Sequence, residues 1–176
     1  MGRSRYKIYE EYYPYFITST FNKQLSLFAD PEIAKIVMQA LEFLQNERAI
    51  KIYAFVLMHD HLHCIIEGEK LPEKIRKFKS FTARKIIDYL IEANRTYILK
   101  QLRFIDHTHN SEYKVWQEGY HPKQIYSLEM MEQKIDYIHY NPVKAGFVDF
   151  ETDWKYSSAR NYAGIDGVIP VSILEW

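Results

Sequence analysis

The hydrophobic and polar positions of the chain change period several times, and each change marks an element. Tyr13 to Phe21 is dense in Tyr, Phe, Ile and Thr and predicts a first strand. Asp30-Pro31 then opens a helix, with Asp30 as N-cap and Pro31 at the first helical position. Its apolar residues Ile33, Ile36, Val37, Ala40, Leu41 and Leu44 recur at helical spacing. Two further runs, Ile50 to Met58 and His61 to Glu67, read as strands, and His59-Asp60 between them reads as a hairpin turn. A helix is expected from Leu71 to about Arg95, starting near Pro72, with Ile75, Phe78, Ala83, Ile86, Ile87, Leu90 and Ile91 as its stripe and a break near Ser80. Tyr113 to Trp116 predicts a short strand. Ser127 caps a last helix that packs through Leu128, Met131, Ile135 and Ile138 and runs to about Tyr140, where Pro142 stops it. The order strand, helix, strand, strand, helix predicts an α+β fold, a ferredoxin-like sandwich of antiparallel sheet and packed helices.

Neither repeats nor Pro/Gly-rich linkers interrupt this pattern, so residues 1–176 are expected to form a single domain, with a core at about 13–145 and a tail at 146–176 of short turns. The lone cysteine, Cys64, excludes an intrachain disulfide and points to a reducing, cytoplasmic setting. The basic start from Met1 to Lys7 is not followed by an apolar stretch, so neither a signal peptide nor a membrane span is expected. The formal net charge of zero hides an asymmetry. From Lys70 to Arg103, ten basic residues face only Glu73, Asp88 and Glu92, a local charge of +7 balanced by −7 elsewhere. A basic stretch of this kind suits a polyanion, and it also suits a solvated helix face.

Candidate chemistry begins with His61-Leu62-His63. Alternate residues of a strand share a face, so the two imidazoles project side by side while Leu62 and Cys64 turn the other way. Adjacent imidazoles on a rigid strand form half of a divalent-metal site. On the last helix, Lys134, Tyr137 and Asn141 fall on one stripe beside the packing face, at spacings of three and four. A stripe that faced the histidines would bring together a metal, a phenol that can attack phosphorus and an amide oxygen that can act as third ligand. This set suits cleavage of a phosphodiester. A free phenol ionises only near pH 10, roughly, so the reaction would need a cation such as the metal or the Lys134 ammonium close by.

These residues also carry a resemblance. His61-Leu62-His63 resembles the histidine-hydrophobic-histidine (HUH) motif of single-tyrosine transposases. Asp136-Tyr137-Ile138-His139-Tyr140-Asn141-Pro142-Val143-Lys144-Ala145-Gly146 resembles the catalytic-helix signature of the REP-associated tyrosine transposases. Further similarities run through Phe78 to Ala83, Val115 to Gly119 and Trp154 to Tyr162, so that the likeness spans about Tyr13 to Tyr162 in the expected order. It implies an HUH endonuclease core that nicks and rejoins single-stranded DNA beside hairpins. Tyr137 would be the nucleophile and form a 5′-phosphotyrosine, and His61, His63 and Asn141 would hold Mg²⁺ or Mn²⁺. Arg76, Lys77, Lys79, Arg84, Lys85 and Lys134 would meet DNA phosphates. Such enzymes act as monomers or homodimers. One departure stands out: members often carry Pro-Asn before the first histidine, where this chain has His59-Asp60.

Other readings compete. The basic segment alone would serve a domesticated protein that binds structured nucleic acid without cutting it. His59, His61 and His63 together could hold zinc in a structural or hydrolytic site. Tyr120 and Tyr126 are rival nucleophiles without a polar partner at helical spacing. Tyr12, Tyr13, Phe81 and Tyr120 are candidates for stacking on unpaired bases. Trp116 and Trp154 are expected to anchor the fold, Cys64 to be a small core residue, and His107, His109 and His121 to be surface histidines.

Overall fold

The computed structural model describes residues 13–104 and 112–173. Tyr12, His107 and His109 lie outside the described residues. Four strands, β1 (Tyr15–Thr20), β2 (Lys51–Leu57), β3 (His61–Glu67) and β4 (Lys123–Gln124), form one antiparallel sheet in the order β2-β3-β1-β4. Helix α1 (Pro31–Arg48) joins β1 to β2, and α2 (Leu71–Glu92) with the short α3 (Thr96–Leu102) joins β3 to β4. Helix α4 (Leu128–Lys144) follows β4. This is the ferredoxin-like arrangement expected from the sequence.

Period-two alternation divides the sheet into two faces. Leu62, Cys64 and Ile66 of β3 join Phe55 and Leu57 of β2 in the larger core under α1 and α2. Phe16, Val56 and Ile65 point the other way and pack against Met131, Ile135 and Ile138 of α4. A bulge in β2 between Ile52 and Ala54 puts Tyr53 and Ala54 together on the α4 face, after which alternation resumes.

Helices α1 and α4 start at their expected caps. The Asp30 carboxylate accepts from the Glu32 N–H at 3.1 Å, and the Ser127 hydroxyl accepts from the Met130 N–H at 3.1 Å. The expected break at Ser80 is absent and α2 is continuous; within it the Thr82 hydroxyl donates to the Phe78 carbonyl at 2.8 Å and accepts from the Trp116 indole at 3.0 Å. Pro142 does not stop α4, which runs two residues beyond it. Its missing N–H removes one intrahelical bond, and its own carbonyl accepts from the Phe147 N–H at 3.0 Å. Tyr113 to Trp116 forms isolated bridges to Arg103 and Phe21, and the fourth strand is the two-residue β4.

The outer edge of β2 is covered by the tail. Leu57 N–H donates to Tyr156 at 2.9 Å, Ser158 N–H to Phe55 at 3.0 Å and Ser172 N–H to Ile52 at 2.8 Å, which removes an exposed edge. Trp154 anchors the same edge through its indole N–H to the Leu57 carbonyl at 2.9 Å. Trp116 is buried against Phe21, ring centroids 4.4 Å apart. Both tryptophans are thus anchors of the fold, and Cys64 is fully buried in the larger core.

Candidate active site

His61 and His63 sit at the start of β3 on the α4 face. Their ring centroids are 4.6 Å apart at an interplanar angle of 71°. The two are held differently. His61 is half-buried, and its Nδ1 lies 2.6 Å from Oδ1 of Asp60. His63 is buried, with Nδ1 2.8 Å from the Thr18 hydroxyl of β1 and its ring stacked on Phe16 at 5.3 Å. The pairing of Thr18 with His63 in the β1–β3 register puts the hydroxyl on the same face as the imidazole. Burial, then the neighbouring His61 and Lys134, push the His63 pKa down to about 3. The ring is therefore neutral near pH 7, the state in which an imidazole can bind metal.

Helix α4 crosses above this end of the sheet because Met131, Ile135 and Ile138 bury the adjacent stripe. Tyr137 is thereby set with its ring centroid 5.4 Å from His63 and 5.9 Å from Phe16, both edge to face. It remains 43% exposed, so the phenol is open to a large substrate. The Lys134 ammonium lies 5.3 Å from the Phe16 ring centroid and 5.7 Å from that of Tyr137. Asn141, half-buried, stands one helical turn beyond Tyr137 on the same stripe.

The expected site residues thus divide. His61, His63, Tyr137 and Lys134 come together. Arg76, Lys77, Arg84 and Lys85 are exposed on α2, in the layer on the other side of the sheet. Lys77 pairs with Glu73 at 2.7 Å. Lys79 turns inward: Nζ donates to the carbonyls of Gln117 at 2.7 Å and Gly119 at 2.5 Å and sits 5.9 Å from the Trp116 ring. Its burial, and Lys114 nearby, lower its pKa to about 8.

His59 does not share the face of His61. The two residues of the turn break the strand alternation, and the His59 ring packs on Phe147 at 4.3 Å and Trp154 at 5.5 Å. Among the described residues no three of His, Cys, Asp and Glu form a metal-sized group, so a zinc site of three histidines is not formed. Tyr120 packs against the larger core and Tyr126 is exposed on the turn between β4 and α4. Sequence reasoning missed Thr18 and Phe16. Their part in the site follows from strand register, which no local pattern records.

No family model matches the chain. A REP-associated tyrosine transposase of Escherichia coli (strain K12) is 28% identical over 125 residues, 70% of this chain and 63% of the relative. A Haemophilus influenzae protein provisionally named a REP-associated tyrosine transposase is 29% identical over 107 residues, 60% of this chain and 56% of the relative. The matches therefore span less than two thirds of either relative's length. In fold, the chain is similar to a solved REP-associated tyrosine transposase bound to a REP hairpin, with a TM-score of 0.68, 20% identity, and coverage of 100% of this chain and 95% of that one. An antiparallel ferredoxin-like sheet, a histidine pair on its third strand and a tyrosine held over that pair by α4 accompany this likeness, and the chain is similar in sequence and in fold to REP-associated tyrosine transposases.

Proposed function

We propose that the chain is a single-tyrosine transposase that nicks and rejoins single-stranded DNA beside hairpins, through a covalent phosphotyrosine. The observation that carries this reading is the Tyr137 ring 5.4 Å from His63, itself 4.6 Å from His61, with the Lys134 ammonium alongside. The side chains proposed to attack a phosphodiester stand on two elements, β3 and α4. The similar proteins support the transposase class, and the hairpin bound to the structural neighbour suggests the substrate.

In the proposed step, Oη of Tyr137 forms a bond to phosphorus as the bond from phosphorus to O3′ breaks. The phenolic proton passes to solvent, and the departing O3′ takes one up. The 5′-phosphate stays on Tyr137 and a 3′-hydroxyl is released. Rejoining is the reverse attack of a 3′-hydroxyl on the phosphotyrosine. His61 and His63, with Asn141 as third ligand, would hold Mg²⁺ or Mn²⁺, and the ion would withdraw charge from a non-bridging phosphate oxygen. A buried, neutral His63 and a His61 whose Nδ1 is already engaged, leaving its Nε2 free, fit that role. Lys134 would balance phosphate charge beside the phenol. The protein would work as a monomer or homodimer, in the cytoplasm. No described helix is long and apolar enough to cross a membrane.

The test is covalent capture on labelled hairpin oligonucleotides with Mg²⁺ or Mn²⁺. Tyr137→Phe should abolish nicking and the adduct while hairpin binding stays within a few-fold of wild type. A covalent adduct formed by Tyr137→Phe would overturn the assignment. The exposed basic residues of α2, set apart from the histidines, favour a second reading, a protein that binds structured nucleic acid without cutting it. Wild-type protein that binds hairpins and never nicks them would support that one.

A further inference from the structure

The two imidazoles are alike in sequence and unlike in what holds them. His61 is bonded to a carboxylate, Asp60, at 2.6 Å, and His63 to a hydroxyl, Thr18, at 2.8 Å. A carboxylate only accepts, so the bonded Nδ1 of His61 must carry hydrogen, and in the neutral ring the lone pair is then on Nε2. A hydroxyl donates or accepts with equal ease, so Thr18 leaves the tautomer of His63 unselected.

Asp60 stands on a braced turn. Its carbonyl accepts from the Phe21 N–H at 2.8 Å. The carbonyl of His59 accepts from the Phe28 N–H at 2.9 Å, and Met58 N–H closes the hairpin onto His61 at 2.8 Å. Three main-chain bonds thus hold the residue that aims the imidazole. The bracing uses backbone atoms, so the Asp60 side chain can be changed without releasing the turn.

We propose that Asp60 is a positioning residue for a divalent ion at the histidine pair: its carboxylate locks His61 in the Nδ1–H tautomer, turns Nε2 toward the ion and makes His61 the stronger of the two ligands. The inference rests on the reading of the pair as a metal site. It deepens that reading by giving a function to the residue where the chain departs from the Pro-Asn pattern. A carboxylate behind a ligating histidine fixes ring angle and raises basicity, and removing such a partner typically lowers metal affinity by about 10- to 100-fold.

The experiment is Mn²⁺ titration of the metal-free protein, read by the electron paramagnetic resonance of free Mn²⁺, with long-range ¹⁵N–¹H spectra to report the His61 tautomer. Asp60→Ala should weaken Mn²⁺ binding about 10- to 100-fold and shift His61 toward the Nε2–H form. Asp60→Asn, whose amide oxygen can still accept from Nδ1, should keep the tautomer and lose only a few-fold in affinity. Wild-type affinity together with a wild-type tautomer in Asp60→Ala would overturn the inference and leave the metal site standing. Mn²⁺ uptake that is absent, or indifferent to His61→Ala, would overturn the metal site and this inference with it.

Discussion

The two faces of the sheet are built from the same strands and differ in kind. Under α1 and α2, Leu62, Cys64 and Ile66 meet Ile33, Val37, Leu41, Ile75, Ile86 and Leu90, a predominantly apolar and almost fully buried layer. Under α4, the apolar layer is smaller, and at the β3 start it gives way to Thr18, His61, His63, Tyr137 and Lys134. One strand with period two thus feeds a packing face and the face of the candidate site, and a slip of one residue in register would exchange them. The division teaches where this fold gathers partly buried polar groups: they cluster at the end of the minor core, whereas the α2 side takes in only separate ones, Thr82 and Lys79, each tied to its own partners.

The sharpest way to break that contrast is to truncate adjacent residues of β3. Leu62 is 1% exposed, and Leu62→Ala should cost about 2–5 kcal/mol of stability while the remaining folded protein still nicks DNA. His61→Ala should cost about 1 kcal/mol or less and abolish nicking. Urea denaturation beside a nicking assay measures both. Undiminished cleavage by His61→Ala would mean that the polar face is not the chemical one.

The sequence was legible where a signal was local. Alternation around Leu62 and Cys64, the caps at Asp30 and Ser127, and the stripe of Lys134, Tyr137 and Asn141 each depend on residues within one or two turns. The resemblance joined the histidines to Tyr137 across the chain. What stayed hidden was set by distant partners. Nothing near Thr18 or Phe16 marks them as neighbours of His63, because register decides it. The position of Lys79 looked like that of its basic neighbours, and only the loop at 117–119 reveals carbonyls waiting for an ammonium. The fourth strand is two residues long and has no periodicity to detect. Pro142 lies inside α4 two residues before its end, and the chain's continuation past it depends on the last-turn bonds of Ala145, Gly146 and Phe147.

A smaller effect distinguishes the faces by pH. The α4 face buries a second imidazole, His139, whose Nε2 lies 2.8 Å from the Ser158 hydroxyl, and burial lowers its pKa to about 4. A histidine whose folded pKa lies below its unfolded value of about 6.5 binds more protons when unfolded. Its contribution is therefore complete above about pH 6.5 and is lost as pH falls toward 4, at roughly 1.4 kcal/mol per unit within the window. Urea midpoints taken at intervals from pH 7 to 4.5 should fall, and His139→Gln should flatten the slope by about one proton. An unchanged slope in that variant would mean that His139 is not held neutral by the fold.

The smallest effects concern charge on the packing face, where the exposed cations of α2 and the inward-turned Lys79 share one helix. If Arg84 and Lys85 meet DNA phosphates, each substitution by Gln should lower the salt slope of hairpin binding by about 0.7–0.9 and weaken affinity a few-fold. Lys79→Gln should leave the slope unchanged, because its ammonium is already bonded to Gln117 and Gly119, and should instead cost about 1–3 kcal/mol of stability. Measuring binding between 50 and 200 mM salt, roughly the range over which phosphate contacts are most visible, separates the two roles. A Lys79→Gln slope as reduced as that of Arg84→Gln would show that DNA draws the ammonium out of its loop, and the packing face would then be a second working face of the sheet.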